Sequence, residues 1–327
     1  MTPTGIGPLQ PCVKIQNALD GFFNINKPAD WTSHDVVNKV RRLFRIQKVG
    51  HAGTLDPSAT GVLPICVGKG TKVVEYLLAA DKEYRAVLRL GEETDSLDAT
   101  GKVIRRSDVN VTESELRAAI AQFTGEIDQI PPMYSAIKVR GVPLYKTARA
   151  GQKLSVPPRR VTIRFLEMLS FEDRDATIQV VCSKGTYIRS LCADIGRQLG
   201  CGAHLLQLQR LRSGPFQIDA AITIDELEGL AAKGVAEERL YSMDCVLSGI
   251  PIVRVNAQTA VKCCQGVPVS WVGILDHPPK DYNRGDTVRI HDPEGRLVAI
   301  GRAMADRREA GSDPVNALLF KVEKVLI

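Results

Sequence analysis

The chain is poor in the patterns that carry metal, redox or membrane chemistry. Its 327 residues include eight cysteines, none in a C-x-x-C pair, and five histidines at no ligand-like spacing from one another or from cysteine. No metal site is expected. Most cysteines lie in apolar surroundings such as Pro64-Ile65-Cys66-Val67, which reads as reduced, buried thiols. No run approaches the roughly 18 consecutive apolar residues of a spanning helix, and Met1 to Asp20 lacks the basic-then-apolar order of a signal peptide. A cytoplasmic protein without a membrane partner is expected. Gly68-Lys69-Gly70-Thr71-Lys72 is not a phosphate loop, because Leu63 stands where that motif needs its first glycine. No internal repeat is present.

What the chain does have is a folded core's worth of apolar residues, 44% hydrophobic beside 24% charged, which at this length suggests about two domains. The net charge of +6 suits a polyanionic partner but also many ordinary basic proteins, so its placement matters more than its size. Residues 1–20, rich in proline and glycine, read as an N-terminal extension. A strand from Gly21 stops at Pro28, and Thr32-Ser33-His34-Asp35 forms a capping box. The helix that follows buries Val36, Val40, Leu43 and Phe44 and turns Lys39, Arg41, Arg42 and Arg45 outward, either to solvent or to a phosphate backbone.

Further on, Lys82 to Gly91 alternates as a strand opened by Tyr84, and Thr112-x-x-Glu115 caps a helix that Gly125 should close. From Gln129 to Arg160, basic and aromatic residues interleave around glycine and proline, Lys138 and Arg149 among them, which suits backbone neutralisation and base stacking. Strands near Val161–Leu169 and Ala176–Cys182 lead to a helix with the stripe Ile188, Leu191, Ile195 and Leu199. Tyr187 and Arg189 sit at its start. A cation there opposes the helix dipole, so Arg189 has either an anionic partner or solvent. A helical stretch from Thr223 bridges to short β-like segments after Pro251, among them a hairpin over Asp286–Gly301 and a last strand from Ala317.

The stretch that organises the chain is Lys48-Val49-Gly50-His51-Ala52-Gly53-Thr54-Leu55-Asp56-Pro57 with Ala59-Thr60-Gly61-Val62-Leu63-Pro64. Its glycines permit backbone turns closed to other residues, and Pro57 biases Asp56 away from helical geometry. Asp56 could simply cap a helix beginning at Pro57. The strongly basic approach, Arg41 to Lys48, instead places this acid beside a surface that attracts phosphate.

These residues resemble the catalytic motif of the bacterial tRNA pseudouridine-55 synthases, the TruB family, and the resemblance extends through separate motifs from about Gly21 to Phe216. It implies an α+β fold: a mixed, mainly antiparallel central sheet flanked by helices over 21–248, with an RNA-clamping insertion at about 130–157. A small β-rich, PUA-like RNA-binding domain would follow over 249–327. The resemblance makes Asp56 the catalytic aspartate, Tyr84, Tyr187, Arg189 and Leu205 its active-site support, and His51 the residue that fills the space of a flipped base. Arg41, Arg42, Lys138 and Arg149 would contact RNA, and Arg189 would lower the Asp56 pKa by pairing with it. Gln209 departs from the arginine usual in the family, and Val272 to Arg284 is longer than usual. The implied reaction isomerises uridine 55 in the tRNA T-arm without a cofactor, in a monomer. A non-catalytic RNA-binding protein on the same scaffold and a metal-free glycosidase are the rivals; the second usually needs two carboxylates.

Overall fold

Period-two alternation builds one large sheet. In the computed structural model, which describes residues 19–135, 138–139, 142–144, 156–276, 282–307 and 318–327, ten strands join in it. Its path runs Leu240–Tyr241, Gly21–Lys27, Thr60–Val67, Ala203–Ser213, Lys82–Leu90, Asp175–Cys182, Arg159–Glu172 and Gly125–Gln129. Val49–His51 adds to Thr60–Val67, and Phe216–Gln217 adds to Ala203–Ser213. The pairing of Ala203–Ser213 with Thr60–Val67 is parallel; the other pairings in this sheet are antiparallel. The expected mixed, mainly antiparallel α+β sheet is therefore present.

Alternate residues of one strand feed different cores. Phe23 and Ile25 pack with Val36, Val40, Leu63 and Ile65, whereas their neighbour Phe22 packs with Val62, Cys66, Phe216 and Tyr241. The helices Ser33–Phe44 and Ile224–Ala232 cover the first of these cores, and Glu113–Ala121 with Ile188–Gln198 cover a third around Ala86, Leu88 and Ile178. Tyr84 packs against both helix-covered cores, at their junction. Two helices start with the reciprocal box read from sequence, Thr32 with Asp35 and Thr112 with Glu115, and a third, Thr223 with Glu226, starts the same way.

A five-stranded sheet, ordered Ile252–Arg254, Thr287–His291, Leu297–Ala303, Leu318–Val325 and Val269–Ser270, forms the C-terminal unit around Val253, Val288 and Phe320. It is tied to the turn Gly68–Val73 that follows the strand Thr60–Val67. Lys72 Nζ donates to the Val325 carbonyl at 2.6 Å, and Lys324 Nζ donates to that of Lys72 at 2.7 Å.

Several details differ from the sequence reading. No helix begins at Pro57, so Asp56 caps nothing; the chain turns there and enters the strand Thr60–Val67. Gly125 does not close the preceding helix, which ends at Ala121, but opens the next strand at φ +103°. Ala203–Ser213 is a strand at the heart of the sheet, and Ala257–Cys264 is a helix capped by Asn256; neither was expected. Arg149, the extension up to residue 18 and much of the expected clamp lie outside the described residues. Lys138 lies on a two-residue strand, Lys138–Val139, and its side chain is outside the description.

Candidate active site

The loop that carries Asp56 is pinned on both sides of it. Upstream, the Ser33 hydroxyl, at the start of its helix, accepts from Leu55 N–H at 2.9 Å and donates to the Leu55 carbonyl at 3.1 Å. Downstream, Lys27 Nζ donates to the Pro57 carbonyl at 3.0 Å, and the Asp30 amide donates to the same oxygen at 2.9 Å. Lys27 is fully buried, and it also serves the carbonyls of Pro28 and Trp31. Burial pushes its ammonium down to about 8. Asp56 is thereby held at a cleft edge, with its side chain 36% exposed and free to meet a ligand.

Opposite it stands Arg189, in the first turn of Ile188–Gln198 and only 6% exposed. Its Nε lies 3.0 Å from Asp56 Oδ2 and its Nη2 3.2 Å from Asp56 Oδ1, a two-pronged pairing that fixes the carboxylate plane. The remaining prong, Nη1, lies 3.5 Å from Asp98 Oδ2, a residue that sequence reading passed over. Asp98 Oδ1 accepts from the Ser96 and Thr100 hydroxyls at 2.7 and 2.6 Å and from Thr100 N–H at 3.0 Å. The cation near the helix start therefore has two anionic partners.

The expected effect on Asp56 is only half right. Arg189 pulls its pKa down, but burial outweighs that, Asp98 adds to burial, and the net result is a carboxyl raised above its ordinary value. Asp56 and Leu205 line the same cleft with Ser58, Thr100 and Leu208. Tyr84 enters from the adjoining strand, its phenol pushed up first by its own burial and also by the Asp56 charge. Tyr187 is the residue before that helix, and Gln129 clamps its backbone, accepting from its N–H at 2.8 Å and donating to its carbonyl at 3.0 Å. His51 lies across a β-pair from Ile65, and burial and then the charge of Arg210 lower its pKa. Gln209 sits between Thr60 and Arg85 on the neighbouring strands.

Of the basic residues, Arg42 is exposed, but Arg41 is half-buried and donates to the Val49 carbonyl at 2.9 Å, so it holds the strand that leads into the loop. Among the described residues no group of histidine, cysteine and acid side chains could hold a metal ion, and no helix is long and apolar enough to cross a membrane.

Two family models match this chain in succession. The N-terminal domain of the TruB family pseudouridylate synthases covers residues 41–188, and the tRNA pseudouridylate synthase B C-terminal domain covers 189–248. The chain belongs to the TruB family. Tested by length, the membership spans most of the molecule: tRNA pseudouridine synthase B of Burkholderia pseudomallei strain 668 is 44% identical over 288 residues, 88% of this chain and 94% of that one. Its counterpart from Stutzerimonas stutzeri strain A1501 is 43% identical over 300 residues, 91% and 96% of the two chains. A chain from a structure described as an H/ACA RNP bound to a substrate RNA containing 2′-deoxyuridine superposes with a TM-score of 0.76 at 30% identity, over 95% of this chain and 86% of its own. One from the archaeal box H/ACA sRNP Nop10–Cbf5 complex gives 0.74 at 29% identity, over 95% and 87%. The boundary between the two TruB models, at 188 and 189, falls inside the helix that carries Arg189, so both models contribute to one site.

Proposed function

We propose that this TruB-family chain isomerises uridine 55 in the T-arm of tRNA to pseudouridine, using Asp56 and no cofactor. The observation that carries the reading is the Asp56 carboxylate, gripped in two places by the buried Arg189 at the edge of a cleft lined by Leu205 and approached by Tyr84. In the reaction the bond from base N1 to ribose C1′ breaks, the freed uracil turns, C5 bonds to C1′, the C5 proton leaves and N1 takes one up. No atom is gained or lost. An ionised carboxylate serves each of the available routes: attack at C1′, attack at C6, or removal of a ribose proton. Arg189 opposes the rise that burial gives the Asp56 pKa, and its two-pronged grip aims the carboxylate.

Since the target base is stacked within folded RNA, it must be extruded, at a cost on the order of a few kcal/mol. Phosphate contacts from exposed Arg42 and from the segment that includes Lys138 and Arg149 would offset that cost, His51 would fill the vacated space, and Tyr84 and Tyr187 would flank the base. The unit over 249–327 acts in this reading as a PUA-like RNA-binding module, and a single chain suffices.

The glycosidase rival loses support from the state of its second carboxylate. Asp98 is buried, its Oδ1 takes three donors and its Oδ2 faces Arg189, which leaves nothing to direct at a water. Incubation with an unmodified tRNA transcript tests the proposal. A mass-silent uridine isomer at position 55 is expected; free uracil, or binding without conversion, would favour a rival.

A further inference from the structure

Four hydrogen bonds join residues 129–134 to residues 187–190, where the helix that carries Arg189 begins. Gln129, the last residue of the strand Gly125–Gln129, is 1% exposed. Its side-chain amide closes on both backbone groups of Tyr187, accepting from the N–H at 2.8 Å and donating to the carbonyl at 3.0 Å. An N–H can only donate and a carbonyl only accept, so the amide has a single orientation here. Tyr187 is where the helix Ile188–Gln198 starts, and its own side chain makes no capping bond. Beyond Gln129 the chain is stiff, because buried Pro131 and Pro132 fix their own φ and bias Ile130 toward extended backbone. From this arm the Ile130 carbonyl accepts from the Ser190 hydroxyl at 2.8 Å, and the Tyr134 carbonyl accepts from Arg189 Nη2 at 2.8 Å. That same Nη2 lies 3.2 Å from Asp56 Oδ1, so Arg189 meets the carboxylate and the arm with one nitrogen.

We infer that Gln129 is a positioning residue for the isomerisation, acting through Arg189: its amide sets where the helix begins and so where the guanidinium meets Asp56. Packing of Ile188, Leu191, Cys192 and Ile195 holds the body of that helix against the sheet. Such packing is non-directional, whereas a fork of two charged hydrogen bonds has a strict geometry. The first turn therefore needs a directional constraint, and the bonds from Gln129 to Tyr187 supply it. A misplacement of about 1 Å there is enough to cost on the order of a hundredfold in rate. This inference rests on the synthase reading, but its test has an arm that does not.

The experiment is a double-mutant cycle of Gln129→Met and Arg189→Lys in the full chain, read by single-turnover conversion of unmodified tRNA, with tRNA affinity measured in parallel. Gln129→Met keeps the length of the side chain but removes both bonds. It should slow conversion about ten- to a hundredfold while affinity stays within about twofold. In the Arg189→Lys background, where the fork is already gone, the same change should cost much less. The second arm is NMR of protein labelled with carbon-13 at aspartate Cγ, with the Asp56 signal identified by its absence in Asp56→Asn. The charged groups acting on Asp56 are Arg189, Asp98 and Lys27, and Tyr84 is the phenol that feels its charge. Gln129→Met leaves all four side chains in place and loosens the grip of Arg189, so Asp56 should titrate at higher pH than in wild type. A glutamine that served only the fold, or only the Tyr187 ring, would give equal losses in both backgrounds and leave that titration in place, and either result overturns the inference. Should the Met variant not fold, Gln129→Asn, too short to hold both backbone groups, enters the same cycle, with a smaller but still non-additive loss expected and an additive one overturning the inference. Should wild-type protein convert no uridine, the synthase reading fails and the Asp56 titration alone decides on Gln129.

Discussion

Two regions of this molecule hold nearly the same pair of side chains and use them in opposite ways. At the cleft, half-exposed Asp56 meets Arg189; at the C-terminal unit, equally exposed Asp244 meets Arg289 at 2.8 Å, the arginines being 6% and 8% exposed. Burial raises both carboxyls. Asp244 nevertheless ends lowered, because His291, 2.9 Å away, adds to the pull of Arg289, whereas Asp56 ends raised because Asp98 shares its arginine and opposes its charge. The second acid leaves the one carboxyl raised, as the proposed chemistry of Asp56 uses it, and the histidine leaves the other lowered, as suits a fastener. Asp244 and the donations of Arg289 to the Ile250 and Ser248 carbonyls tie the C-terminal sheet to the chain before it.

The largest effects should separate the two pairs outright. Asp56→Asn should abolish turnover while retaining tRNA binding, since an amide is neither base nor nucleophile; multiple turnover by the purified variant would sink the assignment. Asp244→Ala should leave the chemical step intact but destabilise the protein by about 1–3 kcal/mol, a range reduced for the carboxylate's exposure, as read by urea unfolding. Arg189→Lys comes next. It keeps the charge but loses the fork, so single-turnover conversion should slow by orders of magnitude with little change in affinity. Normal chemistry with lost binding would instead make Arg189 a phosphate contact.

A smaller effect sharpens the comparison through pH. The folded-state pKa of Asp56 is raised, so its protonated form is the one that favours folding, and that contribution is lost as pH rises through the folded value. Asp56→Asn should therefore be at least as stable as wild type near neutrality, with the difference fading in acid. The pKa of Asp244 is lowered, so its contribution is present above the unfolded value and lost as pH falls through the folded one. Its Asn variant should be the less stable near neutrality, and that difference too should fade in acid. Thermal melts across pH with the same sign for both variants would break the contrast. The smallest effect is expected from Arg42→Glu with Arg45→Glu, which should flatten the salt dependence of tRNA binding. Arg41 is left out because its bond to the Val49 carbonyl would confound the result.

Much of this was legible in the residue order. Each capping box lies within four consecutive residues, the strand Lys82–Leu90 alternates cleanly, and the glycines and Pro57 announce the Asp56 loop. What could not be read depends on distant neighbours. The strand Ala203–Ser213 was hidden because Arg210 occupies a core position, which becomes reasonable only once the carbonyls of Gly53 and Val62 are seen around it. Asp98 belongs to none of the motifs read from the sequence, and only Arg189, far along the chain, brings it to the site. The sign of the Asp56 shift went the same way, since burial and Asp98 are both products of the fold.

The central claim is that an ionised Asp56, held by Arg189, carries the chemistry, and the pH dependence of single-turnover conversion tests it most directly. Wild type should lose activity on the acid side at a pH above the ordinary carboxylate range, because burial outweighs Arg189. In Arg189→Met the opposing pull is gone, so the acid limb should move to still higher pH, alongside a lower plateau. An acid limb that stays where wild type has it would contradict the account, since Asp56 would then not depend on Arg189 for its charge.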